Sequence, residues 1–314
     1  MNAVNSNDDY LDLVLKLNVN RSGDRRAPHK PLLLLVSIAK FLQGKTELGF
    51  KEVEAALNPL LSAYAPPVKG RHQPELPYWH LRNDKSNSLK LWVIPGAEDF
   101  PLQKGEFPKI AALRSSSGHL DEGFARALTE DKAFLKATID LLLSGHFPES
   151  LHDSIMAAIG LESPEESFSS NTNSEGNLTR DPNFRIDVLR AYEHRCAVSG
   201  FRVALGGNYF GCEAAHVKWH AYDGPDTIKN GFALSPTLHK LFDAGAWTLS
   251  DDRRVLVSAE LTGTAATVGE LRAFHGQSIR APLSATDEIS TEFIRWHRKP
   301  ELGGVFRHPA LPEA

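Results

Sequence analysis

The segment ESPEESFSSNTNSEGNLTRDPNF, residues 162–184, limits what this chain can fold into more than any other feature. It is dense in Ser, Asn, Glu and Gly and nearly empty of large apolar side chains. Such a stretch cannot bury enough surface to offset the entropy of ordering it, so it predicts a flexible linker. A chain of 314 residues is also longer than a single core usually serves. The expected organisation is a domain over 1–161, the linker over 162–184 and a second domain over 185–314.

Composition narrows the class. With 41% hydrophobic and 24% charged residues, the chain reads as an ordinary globular protein. The longest apolar run, residues 32–36, is far short of the roughly 20 residues a membrane span needs. The N-terminal MNAVNSNDDYLDLVLKL places acids before a short apolar run and lacks a basic lead, which predicts an amphipathic helix rather than a signal peptide. No membrane partner is expected, and the expected compartment is the cytoplasm. Cys196 and Cys212, the two cysteines, exclude a disulfide framework and a four-cysteine zinc ribbon and predict buried, reduced thiols. The net charge of −4 gives no global basic field, so a nucleic-acid partner would need a local basic face.

Periodicity predicts a mainly helical first half with a short strand pair, inside an α+β fold overall. Helices are expected over 10–17, from PHKPLLLLVSIAKFLQG with Pro31 near its start and Gly44 at its stop, and over 50–64 despite Pro59. LKLWVI reads as a strand after a turn at 83–87. A further helix is expected over 129–145, with Thr129 as its N-cap. In the second half, NFRIDVLRAYEHRCAVSG reads as a helix running into a turn, followed by two short strands around Gly206-Gly207. WTLSDDRRVLVSAEL reads as a hairpin of 247–249 with 255–257.

The chemistry concentrates in CEAAHVKWHAYDGPDTIKNGFALSPTLHKLFDAG, residues 212–245. His216 closes a strand, Asn230 opens the returning one and His239 lies on the following helix. Phosphodiester hydrolysis needs a base for water, a cation for the developing charge and a group that fixes the base. The three residues can supply these, with Asn230 either bracing the loop or orienting the histidine. Asp243, four residues after His239, shares its helix face, so the two could converge on one divalent ion. Nitrogen and carboxylate donors suit Mg2+ or Mn2+, and also Co2+, Ni2+ or Zn2+, better than a soft metal. His220 and Asp223 read as loop residues.

This stretch, with RCAVSG upstream, resembles the HNH (ββα-metal) endonuclease motif over about residues 185–260. The resemblance implies that His216 is the general base, Asn230 the middle asparagine and His239 a metal ligand. Many family members carry an Asp or His before the base; here Ala215 stands there, so Asp243 or Glu213 would complete the metal shell.

In the first half, RRAPHKPLLLL and ELPYWHLRND set basic residues beside Pro and aromatic surface, which suits a DNA groove. These phrases resemble the sulfur-binding domain of type IV restriction endonucleases that recognise phosphorothioated DNA, over about residues 8–150. The resemblance implies a cup with Pro77 as its floor, Leu76, Tyr78 and His80 at its rim, and His29 and Lys30 beside it. Arg71, His72 and Arg82 are candidate base readers. In relatives a Tyr often precedes the Pro and a small residue follows three places on; Leu76 and His80 depart from that. The expected protein is a modification-dependent restriction endonuclease that binds double-stranded DNA carrying phosphorothioate and cuts with a divalent metal, a homodimer being one route to double-strand breaks. The alternatives are a nuclease that reads a methylated base or plain sequence, and a DNA-binding protein with an inactive nuclease domain.

Overall fold

The structure, a computed structural model, describes residues 6–19, 21–22, 25–86, 88–103, 107–161 and 181–312. Residues 162–180, most of the expected linker, lie outside the described residues. The fold is α+β. The first half is built around α2 (His29–Leu42), whose residues from Pro31 to Ala39 are all buried. A helix apolar on every side must be packed on every side, and α2 contacts α3 (Phe50–Tyr64), α4 (Glu75–His80) and α7 (Lys132–Ser144). Pro31 sits in the first turn, where the backbone N–H has no intrahelical partner to lose. Each fully buried leucine of the Leu32–Leu35 run contributes about 1.5–3 kcal/mol relative to exposure. The amphipathic α1 (Ser6–Leu15) lies against α7.

A small antiparallel sheet completes this half: β1 (Leu48–Gly49) and β2 (Trp92–Val93) flank β3 (Ser117–Leu120). The expected strand of LKLWVI thus pairs with a residue stretch beyond it, Trp92 opposite Leu120. The helix expected over 129–145 starts later. Asp131 is its cap, accepting from Ala133 N at 2.9 Å and Phe134 N at 3.0 Å, whereas Thr129 ends the preceding α6 (Glu122–Glu130) and bonds back to Ala125 O. A carboxylate accepting two N–H groups stabilises a helix start more than a hydroxyl already committed to the previous turn.

The expected linker to 184 ends earlier: residues 182–184 open α9 (Pro182–Ala191), capped by Asp181, with proline in its first turn, because a capped start favours the helix over a loose coil. The strands β4 (Val203–Leu205) and β5 (Asn208–Phe210) turn at Gly206-Gly207, both with positive φ, as a tight hairpin requires. Next, β6 (Glu213–His216) pairs antiparallel with β7 (Gly231–Leu234), and α10 (Pro236–Asp243) follows. The hairpin of β8 (Trp247–Leu249) and β9 (Val255–Val257) has the expected bounds. Near the C-terminus, α12 (Thr291–Arg298) carries the fully buried His297. Its Nε2 donates to Phe242 O at 3.1 Å and its Nδ1 accepts from Thr248 Oγ1 at 2.8 Å. Burial pushes its pKa down to about 4, so it is the neutral form that joins α12 to α10 and β8.

The two halves are docked. Trp219, Tyr222, Trp296 and Val305 belong to the apolar cluster built by the first half, and a second cluster surrounds β6, β7 and α10. Arg26 reaches across to Ala221 O and Asp223, and its guanidinium lies over the Tyr222 ring at 5.5 Å. Arg307 Nη2 donates to Ala63 O at 2.8 Å. The short helix α8 (Glu149–Ile159) meets α10, where Ser150 Oγ donates to Asp243. Among the described residues no helix is long and apolar enough to cross a membrane.

Candidate functional site

His216, Asn230 and His239 lie on the hairpin and helix of residues 213–243, and the sequence folds this way for local reasons. Gly231 pairs with His216 across the hairpin. A Cβ at 231 would stand 2.8 Å from both Phe184 and Val188, so only glycine lets α9 pack this closely. Phe184 then stacks on the His216 ring, centroids 3.9 Å apart and planes 15° apart. Pro236 opens α10 directly after β7, which swings His239 back toward the start of β6.

Asn230 is fully buried and braces the loop. Its Nδ2 donates to Lys218 O at 2.9 Å and Pro225 O at 3.0 Å, and its Oδ1 accepts from Lys218 N at 2.8 Å. Of the two roles considered for it, this geometry is that of the brace, and the group bonded to His216 is another. His216 Nε2 donates to Asp226 Oδ1 at 2.8 Å. Burial alone would raise the Asp226 pKa, but the N–H of Asp181 and the His216 ring hold it below the usual carboxylate range. Spacing in the sequence gives no sign of Asp226, because its contact with His216 depends on how the loop that Asn230 braces at Pro225 folds back.

His239 lies between two carboxylates. Glu213 Oε2 is 2.8 Å from Nδ1 and Asp243 Oδ2 is 3.1 Å from Nε2. Burial would push the imidazole pKa down, but Asp243 and Glu213 outweigh it and raise it to about 9. The field that retains a proton there also favours a divalent cation in its place, and the oxygen and nitrogen donors suit a hard ion. Among the described residues no three His, Cys, Asp or Glu side chains are gathered to hold a metal.

The two acids differ in access. Glu213 keeps 40% of its side chain exposed, while Asp243 keeps 1%. Asp243 Oδ1 accepts from Trp219 Nε1 at 3.0 Å, and Oδ2 takes Ser150 Oγ as well as His239. Both oxygens of Asp243 are thus engaged inside the joint between the halves, and Glu213 is the more open acid. Cys196 and Cys212 are free, buried thiols.

The second expected site is a groove of about 1570 Å3. His29, Lys30, Arg71, Leu76, Pro77 and His80 all line it. Lys30 is paired with Asp84, and Arg71 grips Glu75 through two bonds of 2.6 and 3.1 Å. Two expected residues fall elsewhere. Tyr78 is fully buried against Phe50 and Trp92, with its hydroxyl 3.1 Å from Ser116 Oγ. Arg82 lies over the Trp79 ring at 3.9 Å, outside the groove lining. Tyr78, two positions after Leu76, falls on the other side of α4 and points inward. Trp79 is itself fully buried and stacked on Phe100, so neither aromatic can cage a flipped base. Sequence reasoning also missed the far wall of the groove, which Arg298, Lys299 and His308 supply from the second half.

Residues 7–164, just over half of the chain, match the family model described as ScoMcrA-like, DNA sulfur-binding domain. The chain belongs to the ScoMcrA-like sulfur-binding-domain family. Residues 196–250 match a second family model, HNH endonuclease. Among solved structures, the chain is similar to the sulfur binding domain of ScoMcrA complexed with phosphorothioated DNA, at 23% identity over 48% of this chain and 95% of that one, with a TM-score of 0.41. It is also similar to the modification dependent TagI restriction endonuclease, at 26% identity over 39% of each chain and a TM-score of 0.29. The type IV phosphorothioation-dependent restriction endonuclease ScoMcrA matches at 24% identity over 48% of this chain and 32% of its own, with a TM-score of 0.39. The chain thus spans only about a third of the length of that larger relative. No curated protein matches it.

Proposed function

We propose that this protein is a modification-dependent DNA endonuclease: its 1–161 half binds double-stranded DNA carrying phosphorothioate, and its 185–314 half hydrolyses a phosphodiester. The observation that carries this reading is the match of a DNA sulfur-binding domain and an HNH endonuclease region in one chain whose two halves are docked. In the groove, exposed Leu76 and the edge of the largely buried Pro77 ring offer an apolar surface beside His29, His80 and the cations. Sulfur is more polarisable and less strongly hydrated than oxygen, so it gains more dispersion and loses less hydration against such a surface. Lys30 and Arg71, already ion-paired, would hold the walls in place, with Lys69 and Lys299 nearer to meeting phosphates.

At the second site His216 is the general base for water, Asn230 fixes the loop that carries it, and Glu213 and His239 are the residues that would hold a divalent ion. Mg2+ or Mn2+ is the leading ion, with Co2+, Ni2+ and Zn2+ also compatible with the donors. When bound, the ion supplies Lewis-acid stabilisation of charge developing on the phosphate. Asp243 anchors His239 from behind. One such site cuts one strand, so a double-strand break takes two copies of the chain or two events.

The binding half of this reading is tested by electrophoretic mobility shift of the full chain on duplexes that differ by one phosphorothioate. The modified duplex is expected to bind at least about tenfold more tightly, roughly 1.4 kcal/mol. Equal affinity for the two duplexes would remove sulfur recognition from the account.

A further inference from the structure

Asp226 belongs to no role assigned above, yet its carboxylate is bound on both oxygens. We infer that Asp226 is the positioning residue for His216, fixing the tautomer and plane in which the imidazole takes a proton. This rests on the reading of His216 as the base and names what makes it one.

An ionised carboxylate can only accept, so the 2.8 Å contact between His216 Nε2 and Asp226 Oδ1 places the hydrogen on Nε2. In the neutral ring that leaves the lone pair on Nδ1, and Nδ1 becomes the proton acceptor. The other oxygen, Oδ2, accepts from Asp181 N at 2.7 Å, at the cap of α9. Two donors arriving on two oxygens require a carboxylate; an amide can accept on only one of its two heads. The same α9 supplies Phe184, whose ring lies flat on the imidazole. One short helix therefore clamps the carboxylate from its cap and the imidazole from its first turn. Among the described residues that face His216 are Asp226, the Phe184 ring and His220, whose ring centre is 5.9 Å away and whose Nε2 is 3.8 Å from Asp226 Oδ2.

The step balances with Asp226 ionised throughout. A water proton moves to Nδ1, the water oxygen forms the new P–O bond, the bridging P–O bond breaks, and the leaving oxygen takes a proton from solvent. The imidazolium formed in that step faces a fixed carboxylate, as in other histidine–carboxylate pairs that serve as bases.

The test compares full-length wild type, Asp226→Asn and His216→Ala on phosphorothioated plasmid with Mn2+, together with affinity for the modified duplex. Asp226→Asn is expected to cut at least about 100-fold more slowly with unchanged affinity, and the acid limb of its rate–pH profile should move to lower pH because the imidazolium has lost its carboxylate. Cutting within a few-fold of wild type, or slower cutting with an unmoved limb, overturns the positioning role. If His216→Ala cuts like wild type, it is the base assignment that fails. A second measurement needs no variant: a long-range 1H–15N spectrum of the wild-type chain should show His216 as the Nε2–H tautomer, and the Nδ1–H tautomer would overturn the inference.

Discussion

Replacing His216 by alanine is expected to slow cleavage of phosphorothioated plasmid by about 10²–10⁴-fold, the range a general base supplies, while affinity for the modified duplex stays within about twofold. The imidazole is held by Asp226, Phe184 and the pairing of β6 with β7, none of which borders the groove that holds Pro77 and Leu76. Removing the ring therefore takes away the proton acceptor without altering the binding surface. Nicking rates at saturating DNA, alongside a titration of binding, separate the two effects. A variant that cuts at the wild-type rate would show that another group accepts the proton.

Replacing Asp243 by alanine should act on stability first. The substitution would leave Trp219 Nε1 and Ser150 Oγ without their acceptor, and would leave the charged His239 with Glu213 as its remaining acid. Breaking one partner out of a buried ion pair costs about 3–5 kcal/mol. Denaturant unfolding of the metal-free protein should reveal a loss of that size. If Asp243 served only as a metal ligand, the metal-free protein would unfold at an unchanged denaturant concentration, and the loss would appear in metal affinity alone. The contact with Ser150 also gives the joint between the halves a direct connection to His239, since one carboxylate bonds to both.

Much of the local structure is legible in the sequence because it is locally determined. Gly206-Gly207 between short apolar runs specifies a hairpin, and Pro236 after GFALS specifies a helix start. The order of strand, loop, strand and helix around His216, Asn230 and His239 follows from such signals. What could not be read is what depends on distant partners. The buried faces of Trp219, Tyr222 and Trp296 are covered by residues of the other half, so the docking leaves no trace in local periodicity. A polar linker predicts separate domains without saying whether their surfaces match. Tyr78 looks like a rim residue beside Pro77 because both share one phrase, but its ring is fully buried against Phe50 and Trp92. Asp243 looks like a ligand at helical spacing from His239, and the spacing is right; only the third dimension shows Trp219 and Ser150 already occupying its oxygens.

The central claim joins recognition of one sulfur atom to cutting of DNA, and it is tested most directly by a single cleavage assay. The full-length protein, with Mg2+ or Mn2+, is given the same plasmid prepared with and without phosphorothioate. The account predicts nicking or linearisation of the modified plasmid at enzyme concentrations that leave the unmodified one intact, and no cutting of either once EDTA is present. Equal cutting of both plasmids, or cutting that persists in EDTA, would contradict it.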